Sequence, residues 1–199
     1  MMYKVIWYKL FLCFMLFSTA ALADQPNRFI FGNSNAPSSN QNEGAHIGIN
    51  FGLSKALTFN LAYEEYTCID CDNPYTYVTN FGLSYFVDLD SYESTEIELS
   101  VTSSSFTVHF PDCISTCIPD ATGSATLLGA NVKKGFSDRF FANLGLIVAM
   151  PESGDPSTSR VIGLEYDFGD VNGFNMFVSN KSNEDSDSSR TTYGIEYVF

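Results

Sequence analysis

The sequence is poor in the residues that most chemistry needs. It has one tryptophan, Trp7, and two histidines, His46 and His109. Basic side chains number 10 against 23 acids, for a formal net charge of −13. Binding a phosphate backbone needs clustered Lys and Arg, so nucleic acid is excluded as a partner. The longest unbroken apolar run, Leu10 to Phe17, is far short of the roughly 20 residues of a spanning helix. No apolar pattern of helical spacing persists long enough to define a helix. Phosphate-binding glycine loops, haem motifs and zinc helix motifs are absent, so no cofactor, no metal and no catalytic set is expected. Disorder is excluded in turn by an aromatic content of 15%.

What is present begins with an address. Lys4 and Lys9 precede the apolar core Leu10 to Phe17, and Ala21, Leu22 and Ala23 follow it. A positive head, an apolar middle and a small-residue cleavage site make residues 1–23 a secretory signal peptide. The mature chain is then 24–199, a single domain. Cys13 lies inside the apolar core and leaves with the signal. Trp7 leaves too, which counts against the lipocalins, secreted barrels with a Gly-x-Trp near their first strand.

The mature chain alternates with period two. Ile47, Ile49, Phe51 and Leu53 alternate with His46, Gly48, Asn50 and Gly52. Leu57, Phe59, Leu61 and Tyr63 repeat the pattern, as do Phe81, Leu83 and Tyr85, then Leu144, Leu146 and Val148, then Ile162, Leu164 and Tyr166. Such alternation puts one residue kind on each face of a sheet. Strands are expected near 27–32 (weakly patterned), 45–53, 57–66, 77–88, 95–109, 124–135, 140–150, 159–168, 173–180 and 190–199. Short and long connections alternate between them, the signature of an up-and-down transmembrane antiparallel β-barrel. A tilted spanning strand needs about 9–11 residues, so a sixteen-stranded porin does not fit this chain. Eight to ten strands do, and ten follows if the segment near Arg28 counts.

The chain ends at Tyr193-Gly-Ile-Glu-Tyr-Val-Phe199, with Tyr193, Ile195, Tyr197 and Phe199 on one face. This resembles the terminal strand of Gram-negative outer-membrane barrels, which the barrel-assembly machinery reads. With the signal peptide and the hairpins, the chain resembles the small barrels of the OmpA and OmpX type. The resemblance implies export through the periplasm, a bacterial outer-membrane location, lipid as the surrounding solvent, and a last strand that pairs with the first. Aromatic girdles are expected at Phe136, Phe140, Phe168, Phe174 and Phe199 on the short-turn side. Tyr63, Tyr66, Tyr75, Tyr77 and Tyr193 are expected on the long-loop side.

The opposite strand faces would fill the lumen. They carry His46, Asn50, Glu64, Asn80, Glu96, Glu98, Lys133, Glu165, Asp167 and Glu196. Six acids around Lys133 make either a hydrogen-bonded plug, which is favoured because a barrel of about eight strands leaves room for little but side chains, or a narrow, cation-preferring water path lined with carboxylates. Unpaired buried charge is costly, so water is expected among them.

Cys68, Cys71, Cys113 and Cys117 fall in two long loops. The oxidising export route makes disulfides the default, and three pairings are open. A tetrahedral thiolate metal site is the alternative that the compartment disfavours. The acidic loop 183–189 lacks the EF-hand spacing and reads as solvated surface. Three functions remain: a structural or porin-like barrel with an acidic lumen, passing small cations; a surface-recognition barrel meeting a ligand through loops 110–123 and 181–189; and a lipid-modifying or proteolytic outer-membrane enzyme using His46 or His109. The first is expected, with no enzyme activity, because neither histidine has a family-specific surround.

Overall fold

The structure, a computed structural model, describes residues 26–36, 42–68, 75–89, 94–109, 120–169, 173–184 and 189–199. Ten strands run in chain order: β1 (Arg28–Ala36), β2 (Asn42–Gly52), β3 (Leu57–Cys68), β4 (Tyr75–Asp88), β5 (Thr95–His109), β6 (Ala121–Gly135), β7 (Phe140–Pro151), β8 (Ser157–Asp167), β9 (Phe174–Asn183) and β10 (Ser189–Val198). Each pairs antiparallel with its sequence neighbours, and β1 pairs with β10, so the sheet closes into a barrel. No helix among the described residues is long and apolar enough to cross a membrane. The expected signal peptide, 1–23, lies outside the described residues.

The burial pattern is inverted relative to a water-soluble protein. The buried polar set is Ser34, Thr58, Ser84, Ser159, Asn175 and Glu196. The large apolar side chains face outward: Leu144 is 61% exposed and Ile162 59%, with Phe81, Leu146 and Met176 also above half. Period-two alternation produces this directly, because the same strands that aim Asn143 and Gly145 inward aim Leu144 and Leu146 outward. An apolar band of this extent is stable only against hydrocarbon. The barrel is therefore a transmembrane one, with its polar face turned to the lumen.

The strands are strongly tilted. Stepping sideways from Phe29 along the ladder leads to Ile49, Leu61, Phe81, Ser103, Thr126 and Met150. The path starts near the turn-side end of β1 and arrives near the loop-side end of β7. A closed barrel requires this stagger, at a strand tilt of roughly 35–45°. At the closing seam, Gly194 lies opposite Gly32, and a Cβ on Gly194 would collide with the Phe31 carbonyl oxygen. The seam continues past the strands, where Asn27 and Phe199 exchange both backbone hydrogen bonds at 3.2 and 3.0 Å.

Two sequence expectations need correction. The strands on the loop side run further than their apolar pattern. The first continues to Ala36, the third to Cys68 and the ninth to Asn183, while the sixth begins at Ala121. Outside the apolar zone the ladder no longer needs an apolar face, so polar residues extend it and shorten the loops. Tyr66 is the second correction. It shares the inward parity of Glu64 and is only 4% exposed, so it does not belong to a lipid-facing girdle. The turn-side girdle does form, through the stacked Phe29–Phe199 and Tyr197–Phe199 pairs and the Phe174–Tyr197 and Tyr166–Phe168 contacts.

Because Leu144 faces hydrocarbon, Leu144→Arg will destabilise the barrel by about 2–4 kcal/mol in urea titrations of bilayer-inserted protein. Thr126→Arg, nearer the loop side, will cost about 0–1 kcal/mol. Equal, near-zero costs for both would mean that Leu144 faces water.

Candidate functional site

The lumen is built from one residue in two along every strand, and the tilt decides which of these meet. The structure places Glu64, Glu96, Glu98, Lys133, Glu165, Asp167 and Glu196 on the inward face, but it separates them along the axis. Glu96 lies one residue into β5 from the turn, Asp167 ends β8, and Glu196 is near the end of β10. With Glu98 and Glu165 they form an acidic, turn-side half. Glu64, on the loop-side half of β3, stands apart from them.

Two cations complete the turn-side half: Lys133, expected from the sequence, and Arg28, which the sequence reading passed over. Arg28, the first residue of β1, places Nη1 3.0 Å from Glu196 Oε1. Lys133 Nζ donates to Glu165 Oε2 at 2.6 Å, reaching across β7. The Asn175 amide donates to the other oxygen, Glu165 Oε1, at 3.0 Å. Lys133 also lies over the Phe141 ring, 4.8 Å from its centroid. Glu96 sits directly across the ladder from Lys133. Glu98 accepts from the Ser84 hydroxyl at 2.6 Å, and Ser84 accepts from the Asn60 amide at 2.6 Å. Ser84 has no exposed surface, so this chain of bonds holds one carboxylate rigidly against the wall.

Small residues make room for these side chains. A Cβ on Gly163 would collide with the Asn143 side chain, which leans over it into the lumen. The Asn131 and Asn143 carbonyl oxygens are buried and accept no hydrogen bond from the protein. Buried amide oxygens in a polar space are normally hydrated, so water among them is the physical expectation.

Among the described residues, three cavities lie along the lumen. One, about 370 Å³, lies at the turn-side mouth between Arg28, Lys133, Glu165, Asp167 and Asn175. A second of about 150 Å³ is lined by Arg28, Asn50, Glu96, Glu98, Asn131 and Lys133, among others. A third of about 310 Å³ reaches toward the loops past His46, Glu64, Val161, Phe177 and Thr192. Glu165 lines all three. The Lys133–Glu165 pair therefore sits where the spaces meet.

The loop-side half is organised around Glu64. Its Oε1 lies 3.4 Å from His46 Nδ1 and accepts from the Asn80 amide at 3.2 Å. Its Oε2 lies 4.0 Å from Arg190 Nη1, and the Arg190 guanidinium stacks 3.7 Å over the Tyr66 ring. The two candidate catalytic histidines are not brought together. His46 is in the lumen, whereas His109 ends β5 in the open and pairs with Asp120 at 2.8 Å. Of the cysteines, Cys68 closes β3, and Cys71, Cys113 and Cys117 lie outside the described residues, as do 110–119 and 185–188 of the recognition loops. Among the described residues no group of His, Cys, Asp and Glu has the arrangement of a metal site.

Arg28, Lys181 and Arg190 are the lumen cations that sequence reasoning missed. The signal was available for two of them. Arg28 alternates with Phe29 and Phe31, and Arg190 has the same parity as Glu196. Lys181 fell just beyond the expected end of its strand, where apolar patterning had already stopped.

A closed antiparallel sheet, apolar outside and charged within, defines the class: an integral membrane β-barrel of ten strands. No protein-family model matches the sequence, and no curated protein is a significant relative. Among solved structures the chain is similar to the N-terminal β-barrel domain of Pseudomonas aeruginosa OprF. Identity there is 12%, the TM-score is 0.49, and 87% of this chain and 97% of that one are covered. It is similar to the KdgM porin at 10% identity and TM-score 0.48, covering 86% and 99% of the two chains. The Neisserial surface protein A matches at 12% identity and TM-score 0.39, covering 87% and 96%. At these identities the likeness concerns the fold alone, which the closed ladder establishes independently.

The Lys133–Glu165 bond is part-buried and charge-assisted, so Glu165→Ala will destabilise the barrel by about 1–3 kcal/mol. Adding Lys133→Ala will recover part of that loss, giving a nonzero coupling in a double-mutant cycle measured by urea unfolding. Strict additivity would show the two side chains to be independent.

Proposed function

We propose that the protein is a bacterial outer-membrane barrel, exported through the periplasm, whose lumen is a narrow, water-filled, porin-like path for small cations. The observation that carries this reading is the string of three cavities that share Glu165. A dry plug would leave no such spaces, and the orphan amide oxygens of Asn131 and Asn143 have water as their natural partner. The turn-side half presents Glu96, Glu98, Glu165, Asp167 and Glu196 to Arg28 and Lys133. This excess of carboxylate favours cations through the local field. The Lys133–Glu165 bond narrows the path at its middle and sets a small conductance. The reading involves no catalysis. Insertion uses the barrel-assembly machinery, which reads the outward row Tyr193, Ile195, Tyr197 and Phe199 on β10.

A second reading, surface recognition, is favoured by one feature. The fourth, fifth and sixth strands are the longest of the barrel. Their loop-side ends carry a ladder of hydroxyls, Ser105 opposite Ser124 and Thr107 opposite Thr122. A flat polar wall of this kind, standing above the apolar band, is suited to contact with another surface.

Planar-bilayer recording tests the first reading. The wild-type barrel will pass small currents with a cation preference. Lys133→Ala will raise the unit conductance by about twofold or more and sharpen that preference, since it removes a positive charge at the narrowest point. Glu165→Gln with Glu196→Gln will weaken the preference. Silence from both wild type and Lys133→Ala, in protein that shifts on unboiled gels as a folded barrel should, would end the path reading.

A further inference from the structure

The chamber of about 310 Å³ has walls of two kinds. Glu165 and Glu196 belong to its turn-side end and Glu64 to its loop-side end, and among the described residues no lysine or arginine lines it. Ile30, Val161 and Phe177 line it as well. Apolar walls do nothing for a hydrated metal ion, which takes oxygen ligands. The sheet register puts the two kinds side by side. Phe177 stands directly across the ladder from Glu165, and Ile30 directly across from Glu196. Val161 shares the strand face of Glu165, with Gly163 between them.

Glycine shapes this space. Phe177 pairs on its other side with Gly194, and Gly194 with Gly32. The tip of the Phe177 ring comes within 3.4 Å of where a Cβ on Gly32 would stand. The ring therefore lies along the wall over two glycines and offers a face to the cavity. An aromatic face beside carboxylates attracts a cation through its quadrupole as well as through their charge.

The acid end carries a second feature that points to a ligand. Glu196 is 8% exposed and lines this cavity but neither of the other two. Its Oε1 lies against Arg28 Nη1 at 3.0 Å, out of line for a hydrogen bond, and receives none. Arg28 thus brings charge to Glu196 without a donated bond there, and the side of the carboxylate that faces the cavity is where a donor can arrive. Glu165 accepts from Lys133 on one oxygen and Asn175 on the other, and each oxygen keeps a second lone pair. Inward-facing Glu96, Glu98, Glu165, Asp167 and Glu196 outnumber Arg28 and Lys133 in this half. At the loop-side end the balance is reversed: Arg190, opposite Lys181 on the ladder, lies beside Glu64. An organic cation is therefore drawn to the Glu165–Glu196 end, where an ammonium brings both donors and charge. A space of about 300 Å³ with apolar walls and a few convergent polar groups has the form of a small-molecule site.

We infer that this chamber binds a small organic ammonium ion with an apolar body, its charge between Glu165 and Glu196 and its body against Ile30, Val161 and Phe177. The inference rests on the cation-attracting lumen proposed above and names the kind of cation, but it requires no passage through the barrel.

The test uses the full mature barrel in phosphatidylcholine nanodiscs, titrated calorimetrically with 2-phenylethylammonium chloride, the heat of empty nanodiscs being subtracted. Saturable binding at one site per barrel is expected. Uncharged 2-phenylethanol will bind about tenfold more weakly or worse, and so will ammonium chloride, which lacks the body. Glu196→Gln will weaken the phenylethylammonium about tenfold. Phe177→Leu, which keeps bulk but loses the ring face, and Val161→Ser will each weaken it a few-fold. No saturable binding to a barrel that shows its normal gel shift would overturn the inference, as would equal affinity for 2-phenylethanol, a comparison that needs no variant. Ammonium chloride binding as tightly would remove the apolar half of it. Wild-type affinity in both Phe177→Leu and Val161→Ser would put the ligand elsewhere and overturn the site. A barrel that conducts but does not bind leaves the path standing and removes this site; one that binds but stays silent in bilayers keeps the site and ends the path.

Discussion

In hydrocarbon there is no water to satisfy a peptide group. Each unpaired amide or carbonyl there costs several kcal/mol, so a sheet crossing the membrane must have no edge. The rest of this structure depends on that constraint. It requires β10 to meet β1, and it explains why the meeting is so close. Gly32 and Gly194 oppose each other at the seam, where no other residue than glycine would spare the Phe31 carbonyl at Gly194. The backbone exchange between Asn27 and Phe199 extends the closure past the last strand residue.

Closure also creates the inside. A closed sheet of this size has a face that lipid never touches, and side chains there are free to be charged. Their energetics differ from those of a close-packed protein core, because cavities of about 150 to 370 Å³, with room for water, lie beside the ions. Arg28–Glu196 and Lys133–Glu165 are therefore neither surface pairs of negligible value nor dry pairs that cost more than they return. They tie β1 to β10 and β6 to β8, strands that are adjacent or one apart in the wall, while leaving the Asn131 and Asn143 amide oxygens without a protein donor. The sharing of Glu165 between Lys133 and Asn175 fixes that carboxylate at the junction of the cavities, where any traffic through the barrel has to pass it.

Several features were legible from residue order. Alternation of Leu144 and Leu146 with Asn143 and Gly145 is visible without coordinates, and so is the aromatic row from Tyr193 to Phe199. Both follow from the two-residue period of a strand, which is local. The polar extensions of β1 to Ala36 and of β9 to Asn183 were not legible, because hydrogen-bond pairing there continues without an apolar face to announce it. Tyr66 misled for a related reason. A tyrosine near a strand end looks like an interfacial anchor, and only its parity with Glu64 shows that it turns inward under Arg190.

By itself the sequence determined that this chain makes ribbons with one greasy and one polar side, long enough to span and too few for a wide pore. Those properties come from neighbours along the chain. Tertiary structure alone decided which charges meet. Lys133 reaches Glu165 across an intervening strand, and Arg190 settles between Tyr66 and Glu64 from the far end of the chain. These partners are set by the tilt and stagger of a closed sheet, a global quantity to which every strand contributes and which no single segment records.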